Sequence, residues 1–279
     1  PATLYETWKP PADMPSKGRV SALSGEQKIP ATGFVARDAA LYLPPAALVA
    51  DPPQLPLLVF MMGQPGTPDP TVLAKSLDAF AAAHDGLAPI AIVADQLGSV
   101  NVDPACADST KYGKVSTYLN VDVPAYAEKH LNIIQDPAYW VIGGYSNGGA
   151  CALTYGAANP QTWGNLMDIS GNEYPGSEHV DKTVTEVFGG DRAAFDAASP
   201  ASLLAAHAGA YAGHVAVFTH GGQDAQFGPG QVKNAQRAQA AGFTVLTDTI
   251  PGEGHTGSVL QKGLDYAIVY NPTQFVEAS

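Results

Sequence analysis

Positive charge is scarce in this chain of 279 residues: 14 lysines and arginines stand against 26 aspartates and glutamates, a formal net charge of −12. A surface of that sign repels phosphate backbones and offers little to anionic lipid, so neither nucleic acid nor acidic membrane is an expected partner. Charge of either sign is low, at 14%, while 46% of residues are apolar. That balance supplies a buried core and excludes a disordered or coiled-coil protein. Long apolar runs are missing. The longest, Leu55 to Met62 and Ala88 to Ala94, have the length of buried strands and fall short of the roughly 18 residues that span a bilayer. Metal-ligand spacings are missing as well, with no H-E-x-x-H, no C-x-x-C and no paired histidines, so no metal is expected. No G-x-G-x-x-G follows the first strand, which removes the usual ground for a dinucleotide, and no cofactor is expected. Cysteine is limited to Cys106 and Cys151, either one disulfide or two buried thiols.

Turn formers, by contrast, are plentiful: 29 glycines and 23 prolines point to tight turns and decorated loops. Pro1, Pro10, Pro11, Pro15 and Pro30 punctuate a stretch with little apolar periodicity, so residues 1–30 read as an extended arm and residues 31–279 as one domain. Strand-like segments follow at Gly33 to Leu43, Leu55 to Met62, Pro89 to Ala94, Tyr139 to Tyr145, Trp163 to Ser170, Val215 to His220 and Phe243 to Ile250. Helical patterns lie between them at Thr71 to His84, Thr117 to Leu131, Ala150 to Ala158 and Gln231 to Ala241, with Pro124 expected near a first turn. This alternation predicts an α/β domain with a mostly parallel central sheet and helices on both faces. Asn172 to Ser199 is too long for a plain connection, and is expected to run over the end of the sheet where substrate is shaped.

Gly144-Tyr145-Ser146-Asn147-Gly148 matches G-x-S-x-G, between an apolar strand and an alanine-rich helix. That context suits a sharp strand-to-helix turn holding a serine hydroxyl above the sheet, which makes Ser146 the candidate nucleophile. His255, in the loop after the last strand, is the candidate base, with His220 as competitor. Asp224, after the Val215 to His220 strand, is the candidate acid that holds the imidazole, with Asp191 and Asp196 as rivals. Two backbone amides should form an oxyanion hole: that of Asn147, after the nucleophile, and that of Gln64, between Gly63 and the N–H-less Pro65. Cys151 lies on the helix after Ser146, and the Asp103 to Asp108 loop carrying Cys106 can reach it.

These positions together resemble the putative-esterase branch of the α/β hydrolases, which includes S-formylglutathione hydrolase, feruloyl and enterochelin esterases, and secreted mycolyltransferases. The resemblance spans Gly33 to Tyr270 and rests on the Gly144 to Gly149 elbow, the Gly221 to Asp224 turn and the Gly254-His255 loop. It implies an α/β-hydrolase fold and a serine carboxylic-ester hydrolase working through an acyl-enzyme. Cys106 to Pro124 is similar to exported members, which implies a Cys106–Cys151 bridge and a secreted or extracytoplasmic protein, with a signal peptide or tether ahead of residue 1 left open. Where many relatives have His-Gly after the first interior strand, this chain has Met62-Gly63; where mycolyltransferases carry Ser-Trp after the histidine, it has Thr256-Gly257. The second departure favours hydrolysis of another ester over mycolyl transfer, while an acyltransferase that moves the acyl group to a sugar or lipid hydroxyl stays open as the alternative. A non-catalytic binding domain would lack a triad member or an elbow glycine, and neither is lost. The substrate is expected to be a small-molecule, lipid or carbohydrate ester.

Overall fold

Short apolar or β-branched runs, most of them bounded by glycine, proline or aspartate, become the strands of one eight-stranded sheet. They are β1 (Arg19–Leu23), β2 (Ala39–Leu43), β3 (Leu57–Met61), β4 (Ile90–Val93), β5 (Trp140–Tyr145), β6 (Asn165–Ile169), β7 (Val215–Gly221) and β8 (Thr244–Ile250). The computed structural model describes residues 4–270, so residues 1–3 of the expected arm and 271–279 of the expected domain lie outside it. The strand order is β1-β2-β4-β3-β5-β6-β7-β8. The β1–β2 and β2–β4 pairs are antiparallel and the rest are parallel. Every residue of β3, β4 and β6 is buried, as expected for interior strands covered on both faces.

The covering helices are α1 (Thr71–Ala82), α2 (Val123–His130), α3 (Asn147–Ala158), α4 (Val180–Phe188), α5 (Arg192–Ala197), α6 (Pro200–Ala206), α7 (Gly228–Ala241) and α8 (Val259–Tyr270). α1 packs with α8, while α6 packs with both α3 and α7. The chain is an α/β-hydrolase fold.

Three local differences from the expected pattern have physical causes. The Gly33 to Leu43 run is a strand only from Ala39. Ahead of it, the Arg37 N–H and guanidinium both bond Asp95, which takes that backbone out of any ladder. The helix expected at Thr117 to Leu131 begins at Val115 and widens into a π-turn over Tyr118–Asp122 before α2. Pro124, the second residue of α2, has no N–H to return to the carbonyl four residues back, and a π-turn is one way to absorb that loss. Within residues 1–30, Arg19–Leu23 is the edge strand of the sheet. Asn172 to Ser199 holds two short helices, α4 and α5, after a loop that reaches the C-terminal ends of the strands.

Candidate active site

β5 ends at Tyr145 and α3 begins at Asn147, leaving Ser146 alone at the turn with φ 55° and ψ −116°. A non-glycine residue in such a conformation stores about 1–3 kcal/mol and persists only where its surroundings impose it. Here the Ser146 N–H is held by the Ile169 carbonyl at 2.8 Å. The turn is also sterically closed to side chains on either side. A Cβ on Gly144 would lie 2.0 Å from the Gly148 carbonyl oxygen, and one on Gly148 would lie 2.2 Å from that of Met61. The two glycines of the motif are therefore needed for room.

Three sequence-selected side chains meet above this turn. Ser146 Oγ is 2.8 Å from His255 Nε2, and His255 Nδ1 is 3.0 Å from Asp224 Oδ2. An ionised carboxylate only accepts, so Nδ1 carries the proton and Nε2 is free to accept the serine hydroxyl. Asp224 is buried, and its Oδ1 accepts the Phe227 N–H at 2.9 Å. The rival residues are engaged elsewhere. Asp191 caps α5 through the Ala194 N–H, Asp196 pairs with Arg192, and His220 is bonded to neither Ser146 nor Asp224. Burial lowers the His220 pKa despite the carboxylates of Asp224 and Asp248.

Two aromatic rings that the sequence reading passed over position the histidine. Phe227 stacks on the imidazole at 4.1 Å and Tyr145 at 5.7 Å, and the Tyr145 hydroxyl donates to the His255 carbonyl. Tyr145 is the variable residue inside G-x-S-x-G, where the motif itself gives no signal. Phe227 follows Asp224 by three residues, a spacing without a known signature.

Gln64 and Asn147, the candidate oxyanion residues, both border the space beside Ser146. Gly63 permits the approach of its loop: a Cβ there would already meet the Tyr145 ring at 3.3 Å. Buried Gln96 ties the two loops, donating to the Met62 carbonyl at 2.6 Å and to Asn147 Oδ1 at 3.2 Å. Asp103 accepts from Asn147 Nδ2 at 3.1 Å. Arg37 adds a further tie, bridging Asp95 to the Gly66 carbonyl. Although burial pushes the Asp95 carboxyl up, Arg37 and the Leu97 and Gly98 amides outweigh it and hold the pKa below the usual range. Cys106 and Cys151 form a disulfide that fastens the Asp103 loop to α3. Among the described residues, no cluster of three or more His, Cys, Asp or Glu could hold a metal, and no helix is long and apolar enough to cross a membrane.

Comparison with known proteins gives a family match and a set of structural likenesses. The family described as "Putative esterase" matches residues 36–259. An uncharacterized protein of Corynebacterium glutamicum is 38% identical over 250 residues, which cover 87% of this chain. The match takes in only 58% of that relative's length. Among solved structures, a ferulic acid esterase superposes with a TM-score of 0.74 at 15% identity, covering 93% of this chain and 99% of the other. S-formylglutathione hydrolase from Agrobacterium tumefaciens gives 0.70 at 17% identity, covering 92% and 94%.

Proposed function

Because this chain belongs to the Esterase family, we propose that it hydrolyses carboxylic esters with Ser146 as nucleophile, His255 as base and Asp224 as the residue that orients the imidazole. The observation that carries the reading is the continuous path from Ser146 Oγ to His255 to Asp224, at 2.8 and 3.0 Å. Ser146 attacks the ester carbonyl as its proton passes to His255 Nε2, and the oxyanion is received by the backbone amides of Gln64 and Asn147. His255 then gives the proton to the departing alcohol. A water enters, loses its proton to His255 and releases the acid from the acyl-enzyme. Asp224 stays ionised throughout and stabilises the imidazolium that forms in each half-reaction. The disulfide supports an exported protein, since such bridges persist in oxidising compartments.

The test is intact-mass labelling with a fluorophosphonate on the wild type and Ser146→Ala. One adduct on the wild type and none on the variant is expected. A folded wild type that takes no adduct would overturn the assignment of Ser146 as an activated nucleophile.

A further inference from the structure

Ser146 stands between two hollows of different size and chemistry. One is an open groove of about 380 Å³ lined by Gly63, Thr67, Tyr145, His255 and Thr256. The other is a narrow cavity of about 20 Å³ bordered by Gln64, Asp103, Asn147, Asn172, Glu178 and His179. A single water needs on the order of 10–15 Å³, so the second has room for one or two water-sized groups.

The chemistry of ester cleavage decides which half of the substrate goes where. The leaving oxygen must reach His255 Nε2 to collect its proton, so the alcohol lies on the histidine side, in the groove. The acyl group then points away from His255 into the narrow cavity, which the histidine does not line. The walls of that cavity are rich in acceptors. Asp103 Oδ1 takes the Ala105 and Asn147 protons, and its Oδ2 has no hydrogen-bond partner among the described residues. Asn172 is only 7% exposed and gives its two amide protons to Ser177 Oγ and Glu178 Oε1. Among the described residues its own Oδ1 has no partner, and Asn172 lines the cavity. No lysine or arginine lines the cavity to neutralise these groups.

Resting on the esterase reading above, we propose that the narrow cavity selects a short acyl group carrying an ammonium, that is, an α-aminoacyl ester of the glycyl class. The ammonium donates to the Asn172 carbonyl and pairs with the carboxylates of Asp103 and Glu178. Transfer follows the ordinary course: the Ser146 Oγ–carbonyl bond forms, the ester C–O bond breaks and the alcohol leaves with the proton held by His255. Water then splits the aminoacyl-enzyme to give the free amino acid and regenerated serine.

Benzyl propionate and glycine benzyl ester differ only by a methyl in place of the ammonium, and so isolate the contact. After division by each ester's own hydroxide-catalysed rate, kcat/KM for the glycine ester is expected to exceed that for the propionate at least tenfold, with benzyl octanoate turned over far more slowly than either. Glu178→Gln should shrink the glycine-to-propionate ratio several-fold. A ratio near one in the wild type, a ratio unmoved in the variant, benzyl glycolate matching the glycine ester, or octanoate preferred over both would each overturn the proposal. A wild type that cleaves none of these esters and takes no fluorophosphonate would instead fail the esterase reading, so the two failures are distinguishable.

Discussion

Asp168, on β6 beneath the elbow, is a fully buried carboxylic acid held by neutral donors alone. Its Oδ1 accepts from the Gly171 N–H at 3.0 Å and Gln231 Nε2 at 2.8 Å, while Oδ2 has no partner among the described residues. Burial outweighs those two bonds and pushes its pKa up to about 7. Between the ordinary carboxyl value and that figure, the folded state keeps a proton that the unfolded state has lost. The stability contributed by Asp168 is therefore full at low pH and falls as pH rises from about 4 to about 7, by on the order of 4 kcal/mol. Asp168→Asn removes the ionisation while keeping an acceptor at Oδ1. In urea titrations the variant should gain on the wild type as pH goes from 5 to 8, and a difference that stays constant with pH would contradict this. Asp168 carries no sequence signal, because an aspartate inside an apolar run looks the same whether protonated or paired. Asp224 and His255 could be singled out as candidates because their places after the last two strands are the ones the proposed chemistry would use.

At the scale of elements, the Cys106–Cys151 bridge joins a loop with little regular structure to the helix that starts at the elbow. The bridge closes a sequence separation of 45 residues, and in the chain-entropy account such a crosslink stabilises by about 4 kcal/mol. Cys106→Ala with Cys151→Ala should lower the thermal midpoint by several degrees, and dithiothreitol should do the same to the wild type and nothing to the variant. Unchanged melting in both would show that the Asp103 loop is held by its hydrogen bonds alone. The strands that bury both faces were readable because their composition leaves few alternatives. β1 was not: four of its five residues are exposed, so it lacks the apolar run that marks β3 or β4. What makes Arg19–Leu23 a strand is a free ladder edge on β2, which no local pattern announces. The π-turn before α2 was equally hidden, because proline predicts a disturbance without saying which form it takes.

Across the whole molecule, the order of chemistry along the chain and the order of strands in the sheet are one fact. The residues proposed as nucleophile, acid and base follow β5, β7 and β8 in turn, and parallel pairing of those strands through β6 brings all three loops to the same end. Sequence could therefore select three side chains that meet in space, but not the shape of the hollows around them, which depends on how the loops at 63–67, 96–106 and 172–179 settle against one another. Charge acts at this largest scale too. A net charge of −12 gives the molecule a net negative field, which at low ionic strength reaches about 30 Å, against about 8 Å in physiological salt. Anionic esters should accordingly be repelled, and kcat/KM for a benzyl hemisuccinate should rise about twofold or more from 10 to 150 mM salt. A neutral ester such as benzyl propionate should barely respond, and a cationic one should fall. The same salt slope for all three would mean that salt acts on the protein's conformation, whereas slopes ordered by substrate charge would identify the field itself as a contributor to selectivity.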